Sequence, residues 1–115
     1  MDDKQFVDAI VDEMFGKNFE RYKQSLSKPV NDDGDAYARA RNALSLLSES
    51  QRCDVINFLK LVIADSASVV FGSLDGVCFP GDLKGDFVLS CDGREMQGDL
   101  QDIFIERAQA EGVYD

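Results

Sequence analysis

The chain contains no histidine and no tryptophan, and only two prolines and three cysteines among 115 residues. Without histidine there is no Ser-His-Asp or Cys-His nucleophile pair, no His-ligated zinc or iron, and none of the usual general bases near neutral pH. Cys53, Cys78 and Cys91 are odd in number and widely spaced. With no CxxC pair, they indicate neither a zinc site nor a thioredoxin-like motif. They read as small buried hydrophobes of a reducing compartment, with no basic cluster beside them to activate a thiolate. The glycines at 72, 76, 81 and 85 fit neither GxxxxGKS/T nor GxGxxG, so no phosphate loop is expected. The longest apolar stretch, Leu61–Phe71, is interrupted by Asp65, Ser66 and Ser68. It falls short of the roughly 20 residues of a membrane span. MDDKQF at the start lacks a basic segment followed by an apolar one, so no secretory signal and a cytoplasmic location are expected.

Basic residues are also scarce: 12 Lys and Arg stand against 22 Asp and Glu, a net charge of −10. Residues 1–35 hold 5 basic and 9 acidic groups (−4), residues 36–74 hold 4 and 3 (+1), and residues 75–115 hold 3 and 10 (−7). Such a surface repels nucleic-acid phosphates and anionic lipid and steers basic partners inward. Solubility alone is the other use of the same charge. A hydrophobic share of 44% with 10% aromatics is that of a globular chain, and the length suits one domain spanning 1–115.

Helical spacing dominates what is present. Asp2, with Gln5 completing a capping box, starts a helix from about Asp3 to Leu26. Its stripe is Phe6, Val7, Ile10, Val11, Met14 and Phe15, and a kink or break is expected at Gly16 and Asn18. After Pro29 and the loop Asn31–Asp35, Asp35 caps a second helix with Tyr37, Ala40, Leu44 and Leu47 on one face. Ser48 and Gln51 box the start of a third, whose expected buried face is Val55, Phe58, Leu59, Val62, Ile63, Ser66, Val69 and Val70. From Leu61 to Phe71 nearly every side of it is apolar or small, which points to a central helix or to a homodimer face. Val77 to Phe79 suggests a short strand. Phe87–Cys91 alternates before Asp92-Gly93, a type I′ hairpin signal. Asp99 then caps a last helix that Gly112 ends. The fold class is α+β: about four helices around a long apolar central helix, with a small antiparallel β-hairpin near the C-terminus.

Candidate chemistry is confined to carboxylates. Asp65, inside the apolar stretch, would become a general acid or base if burial raised its pKa; a hydrogen bond at the edge of the buried face is the plainer reading. The loop Asn31–Asp35 lacks both the spacing and the final glutamate of an EF-hand. Asp92, Asp99 and Asp102 suit turns and helix starts. Neither a catalytic residue, a metal site nor a cofactor is therefore expected. The segment Asp75–Asp86 (DGVCFPGDLKGD) places Phe79 among acids, the mixture of aromatic anchor and steering charge that protein interfaces use; Phe79 tucked back into the core is the favoured reading of the two.

The stretches SLDG and GDLQDIFIE, with the long helix and the Asp-Gly hairpin, resemble small acidic bacterial immunity proteins over residues 62–76 and 86–107. That resemblance implies a small acidic cytosolic protein that blocks a basic toxin by binding it. The expected function is a non-catalytic protein-binding module of the immunity or inhibitor type, meeting a basic protein partner through Asp75, Phe79, Asp82, Asp86, Asp92, Glu95 and Asp99. Neither nucleic acid nor a membrane is an expected partner. The alternative is a structural or adaptor protein acting as a homo-oligomer through helix 61–71.

Overall fold

Local capping chemistry sets where the chain turns helical. In the computed structural model, which describes residues 1–31 and 34–115, Asp2 accepts from the Gln5 amide while the Gln5 side chain accepts from the Asp2 amide. Helix α1, Asp3–Glu13, follows from that box. It runs unbroken into a π-helical turn, Met14–Asn18, and on into α2, Phe19–Leu26. The interruption expected at Gly16 and Asn18 is therefore one wide turn inside a single rod. The widened turn rephases the side chains after it. Phe15 stacks on Phe104 in one core, and Phe19 is buried in another. Asp32 and Asp33, in the expected loop, lie outside the described residues.

Asp35 accepts from the Ala38 amide and opens α3, Ala36–Leu44. The Ser48–Gln51 box opens α4, Glu49–Leu74. That helix stops where Gly76 takes a φ of 76° and the Val77 amide reaches back to the Gly72 carbonyl at 2.9 Å, a left-handed cap that glycine adopts without strain. Gly112, with a φ of 77°, ends α5 (Leu100–Ala110) in the same way. Asp92 and Gly93 both have positive φ, as a type I′ turn requires. Pairing around them is shorter than the alternation suggested: β1 is Ser90–Cys91 and β2 is Arg94–Glu95. Phe87 to Leu89 and Val77 to Phe79 are not strands. A lone two-stranded ribbon has no neighbouring strand to extend against.

The mostly helical α+β class read from the sequence holds: four helical rods and one small hairpin among the described residues. They build two cores along α4. The larger joins Val7 and Val11 of α1, Ala64 and Phe71 of α4, and Leu100, Phe104 and Ala108 of α5. Phe71 and Phe104 have ring centroids 5.4 Å apart. The smaller joins Phe19, Leu44 and Ile56. The radius of gyration is 17.2 Å, against about 13 Å for a compact domain of ~100 residues. Two small cores set side by side, not one round one, account for the elongation.

Three expectations about burial are corrected. On α4 the inward line is Ile56, Ala64, Phe71 and Gly72; of the expected face only Leu59 and Ile63 pack, half-buried, against the smaller core, while Val55, Phe58, Val62, Ser66, Val69 and Val70 are exposed. The helix is apolar on two opposite sides, and its neighbours cover only one. On α3 the inward line is Ala38, Arg41 and Leu44, not Tyr37 and Ala40, because Arg41 is drawn in to the Ser25 carbonyl at 2.8 Å. Among the cysteines, Cys53 is exposed, and all three are free thiols.

Candidate functional site

The segment between α4 and α5 is held shut by one carboxylate. Asp75, the last residue before the Gly76 turn, accepts from the amides of Gly98 at 2.6 Å, Leu100 at 3.1 Å and Gln101 at 2.8 Å. Leu100 and Gln101 are orphan donors of the α5 N-terminus, where a negative charge is favoured, and Gly98 stands just before it. Asp99 was expected to cap α5 and does not: its side chain makes no capping bond. The sequence signal for a cap is local, whereas this cap arrives from 23 or more residues away. Close packing supports it. A Cβ on Gly72 would stand 2.6 Å from Gln101 Nε2, and that same nitrogen donates to the Ser68 carbonyl at 3.1 Å.

With its two ends stapled, the segment 76–98 folds back over the C-terminal half of α4. Pro80, Leu83 and Phe87 then face Val69, Val70, Ser73 and Leu74 across an apolar groove of about 320 Å³. Phe79 is 61% exposed beside it, which corrects the favoured expectation that it tucks back into the core. Asp82, Asp86, Asp92, Glu95 and Asp99 are all exposed. Among the described residues none of them pairs with a cation, since every ion pair belongs to Arg107. Glu95 accepts from Gln97 at 3.2 Å, and Gln97 in turn accepts from the Leu89 amide, which steadies the hairpin. Of the seven residues singled out by sequence, Asp75 is thus a positioning residue, Phe79, Asp82 and Asp86 belong to the loop beside the groove, and Asp92 and Glu95 belong to the hairpin. Asp99 sits at the junction with α5.

Asp65 is exposed, and accepts from the Tyr114 hydroxyl at 2.8 Å. The Tyr114 phenol is pushed up to about 12, first by burial and then by that bond. Arg107 bonds Asp8, Asp12 and Glu111 at 2.6, 3.1 and 3.2 Å. These carboxylates, Asp8 first, hold its guanidinium protonated more firmly than a free arginine. No group of three or more Cys, Asp or Glu among the described residues is placed to hold a metal ion. A second opening, of about 410 Å³, lies between α2, α3 and α4 and is lined by Lys28, Arg41 and Arg52 with Glu49. Arg41 is only 7% exposed and its Nε is spent on the carbonyl of Ser25, in the last turn of α2, where a cation answers the helix dipole. This buried arginine was missed from sequence, where Arg39 and Arg41 look alike.

By length and composition alone α4 would also pass for a membrane span. Within the fold, its Lys60 lies 4.7 Å from the Phe19 ring centroid and its Asp65 is tied to Tyr114, so both charged flanks are engaged by the protein. Comparison with protein-family models, with curated proteins and with solved structures finds no match.

Proposed function

We propose that the chain is a non-catalytic protein-binding module of the immunity or inhibitor type, and that it meets a basic protein at the end formed by residues 75–99. One observation carries this reading: an apolar groove with an exposed aromatic, Phe79, is bordered by carboxylates that no cation of the described chain neutralises. Aromatic and aliphatic anchors supply affinity at such surfaces, and unpaired charge of one sign supplies speed and selection. Three free thiols suit the reducing cytoplasm proposed for it.

The test is capture from host lysate on the immobilised chain at about 0.05 M and about 0.5 M salt, where the screening length shrinks severalfold. One basic protein held at low salt, at least tenfold depleted at high salt and released by Asp82→Lys with Asp86→Lys, is expected. Binding indifferent to both salt and charge reversal would sink the proposal.

A further inference from the structure

Water demands polarity of an outward helix face, and one outward line of α4 carries no charge over about six turns. Along its outer side Gln51, Val55, Phe58, Val62, Ser66, Val69 and Ser73 follow at intervals of 4, 3, 4, 4, 3 and 4 residues, which keeps them in one line at 3.6 residues per turn. Phe58 is 59% exposed and Val62 46%. The two serines do not interrupt the line. Ser66 Oγ donates to the Val62 carbonyl and Ser73 Oγ to the Val69 carbonyl, both at 2.8 Å, so each hydroxyl proton is spent inside the helix. No charged side chain stands on the line.

We infer that this line is a self-association face, on which a second copy of the chain lays its own α4 antiparallel about a two-fold axis at Val62. The intervals read the same in both directions from Val62. A two-fold there sets Val62 against Val62, Val55 against Val69, Phe58 against Ser66 and Gln51 against Ser73. The one bulky ring, Phe58, meets the small Ser66, the match that interdigitating helices need. An isologous contact of this kind closes at two copies.

Charge selects the same occupant and the same direction. Residues 36–74 sum to +1 and residues 75–115 to −7. Antiparallel pairing sets each acidic end beside the partner's neutral stretch, whereas parallel pairing would abut the two acidic ends. A basic partner finds no carboxylate on the line to pair with. The area also suits a second copy. Val55, Phe58, Val62, Val69 and Val70 together expose on the order of 400 Å² per copy, and with flanking Leu59 and the serines two copies approach the ~1,000 Å² at which specific association begins. A weak, reversible dimer follows.

The line shares Val69 and Ser73 with the groove of the proposed binding role, so a second copy and a basic partner compete there, and salt separates the two. A contact made by an uncharged line between two copies of charge −10 holds or tightens as salt screens their repulsion, while capture of a basic protein weakens. The experiment is sedimentation equilibrium of the full chain at about 0.05 M and about 0.5 M salt. A monomer–dimer equilibrium no weaker at high salt is expected. Val62→Lys, an exposed position whose variant is checked for wild-type helicity, would weaken it at least tenfold by facing two lysines across the axis. Asp82→Lys with Asp86→Lys would leave it in place. In a Cys53→Ser background, Val62→Cys would cross-link to itself on oxidation, while Val55→Cys would cross-link only when mixed with Val69→Cys. A monomer at high micromolar concentration in both salts, a dimer untouched by Val62→Lys, or a monomer that instead co-sediments with phosphatidylcholine vesicles would each overturn the inference.

Discussion

The two ends of α4 are built to different standards. Around its C-terminal half, α1 and α5 enclose Val7, Val11, Leu100, Phe104 and Ala108 with no exposed surface at all. There the chain adds a three-amide cap at Asp75, the Arg107 ion pairs and the Tyr114 tie. Around its N-terminal half, α2 and α3 close on Phe19, Leu44 and Ile56, and the neighbouring buried polar group is Arg41, held by Ser25. One continuous helix thus carries a well-tied core and a lightly tied one. Local opening begins where few buried apolar contacts hold the backbone, so α3 is expected to exchange amide hydrogens before α5. The tightly held end is also the one that carries the loop and hairpin, so the candidate interface rests on the rigid half.

Core truncation gives the largest separation between the ends. Phe104 is fully buried and touches the rings of both Phe15 and Phe71, so Phe104→Ala is expected to cost about 3–5 kcal/mol. Ile56→Ala, in the smaller core that can relax into the adjoining opening, should fall nearer 2 kcal/mol. Urea unfolding of the two variants beside wild type measures both. Equal losses would mean that the two clusters behave as one core and would break the comparison.

The second contrast lies within the well-tied end. Asp75→Ala removes the acceptor for three amides and is expected to cost about 2 kcal/mol, at the upper end of capping effects. Asp99→Ala should change stability by less than about 0.5 kcal/mol, although by sequence alone it is the better cap. The reverse order would return the capping role to Asp99.

That reversal marks where sequence reading reaches its limit. The boxes at Asp2–Gln5 and Ser48–Gln51, the cap at Asp35, the Asp92-Gly93 turn and the stop at Gly112 were legible because each is chemistry between residues a few positions apart. The inward faces of α3 and α4 were not. Periodicity reports that Val55, Phe58 and Val62 form a line, but α4 bears a second line through Ile56, Ala64 and Phe71, and only the arrangement of α1, α2 and α5 decides which of them faces the chain's own core. The choice of Asp75 over Asp99 and the capture of Arg41 by Ser25 are likewise tertiary. Of the binding residues, the exposure of the acids was open to composition; the outward turn of Phe79 and the groove beside it were not, because Val69 and Leu83 meet only once the loop folds back.

The last contrast tests the tie that only the C-terminal end possesses. Tyr114→Phe removes the hydroxyl given to Asp65 and should cost about 1 kcal/mol near neutral pH. Its pH dependence follows from the raised phenol, about 12 in the folded chain against 10.0 for the free group. Between those values the folded state keeps a proton that the unfolded state has released. The contribution is therefore intact below pH 10 and is lost as pH rises through 12. Subtracting the variant's stability from that of wild type cancels the other titrating groups the two share. That difference should stay level up to about pH 10 and then shrink. A difference that stays level to pH 12 would show that Tyr114 ionises like a free phenol, and the tail would then count as packed against α4 without being tied to it.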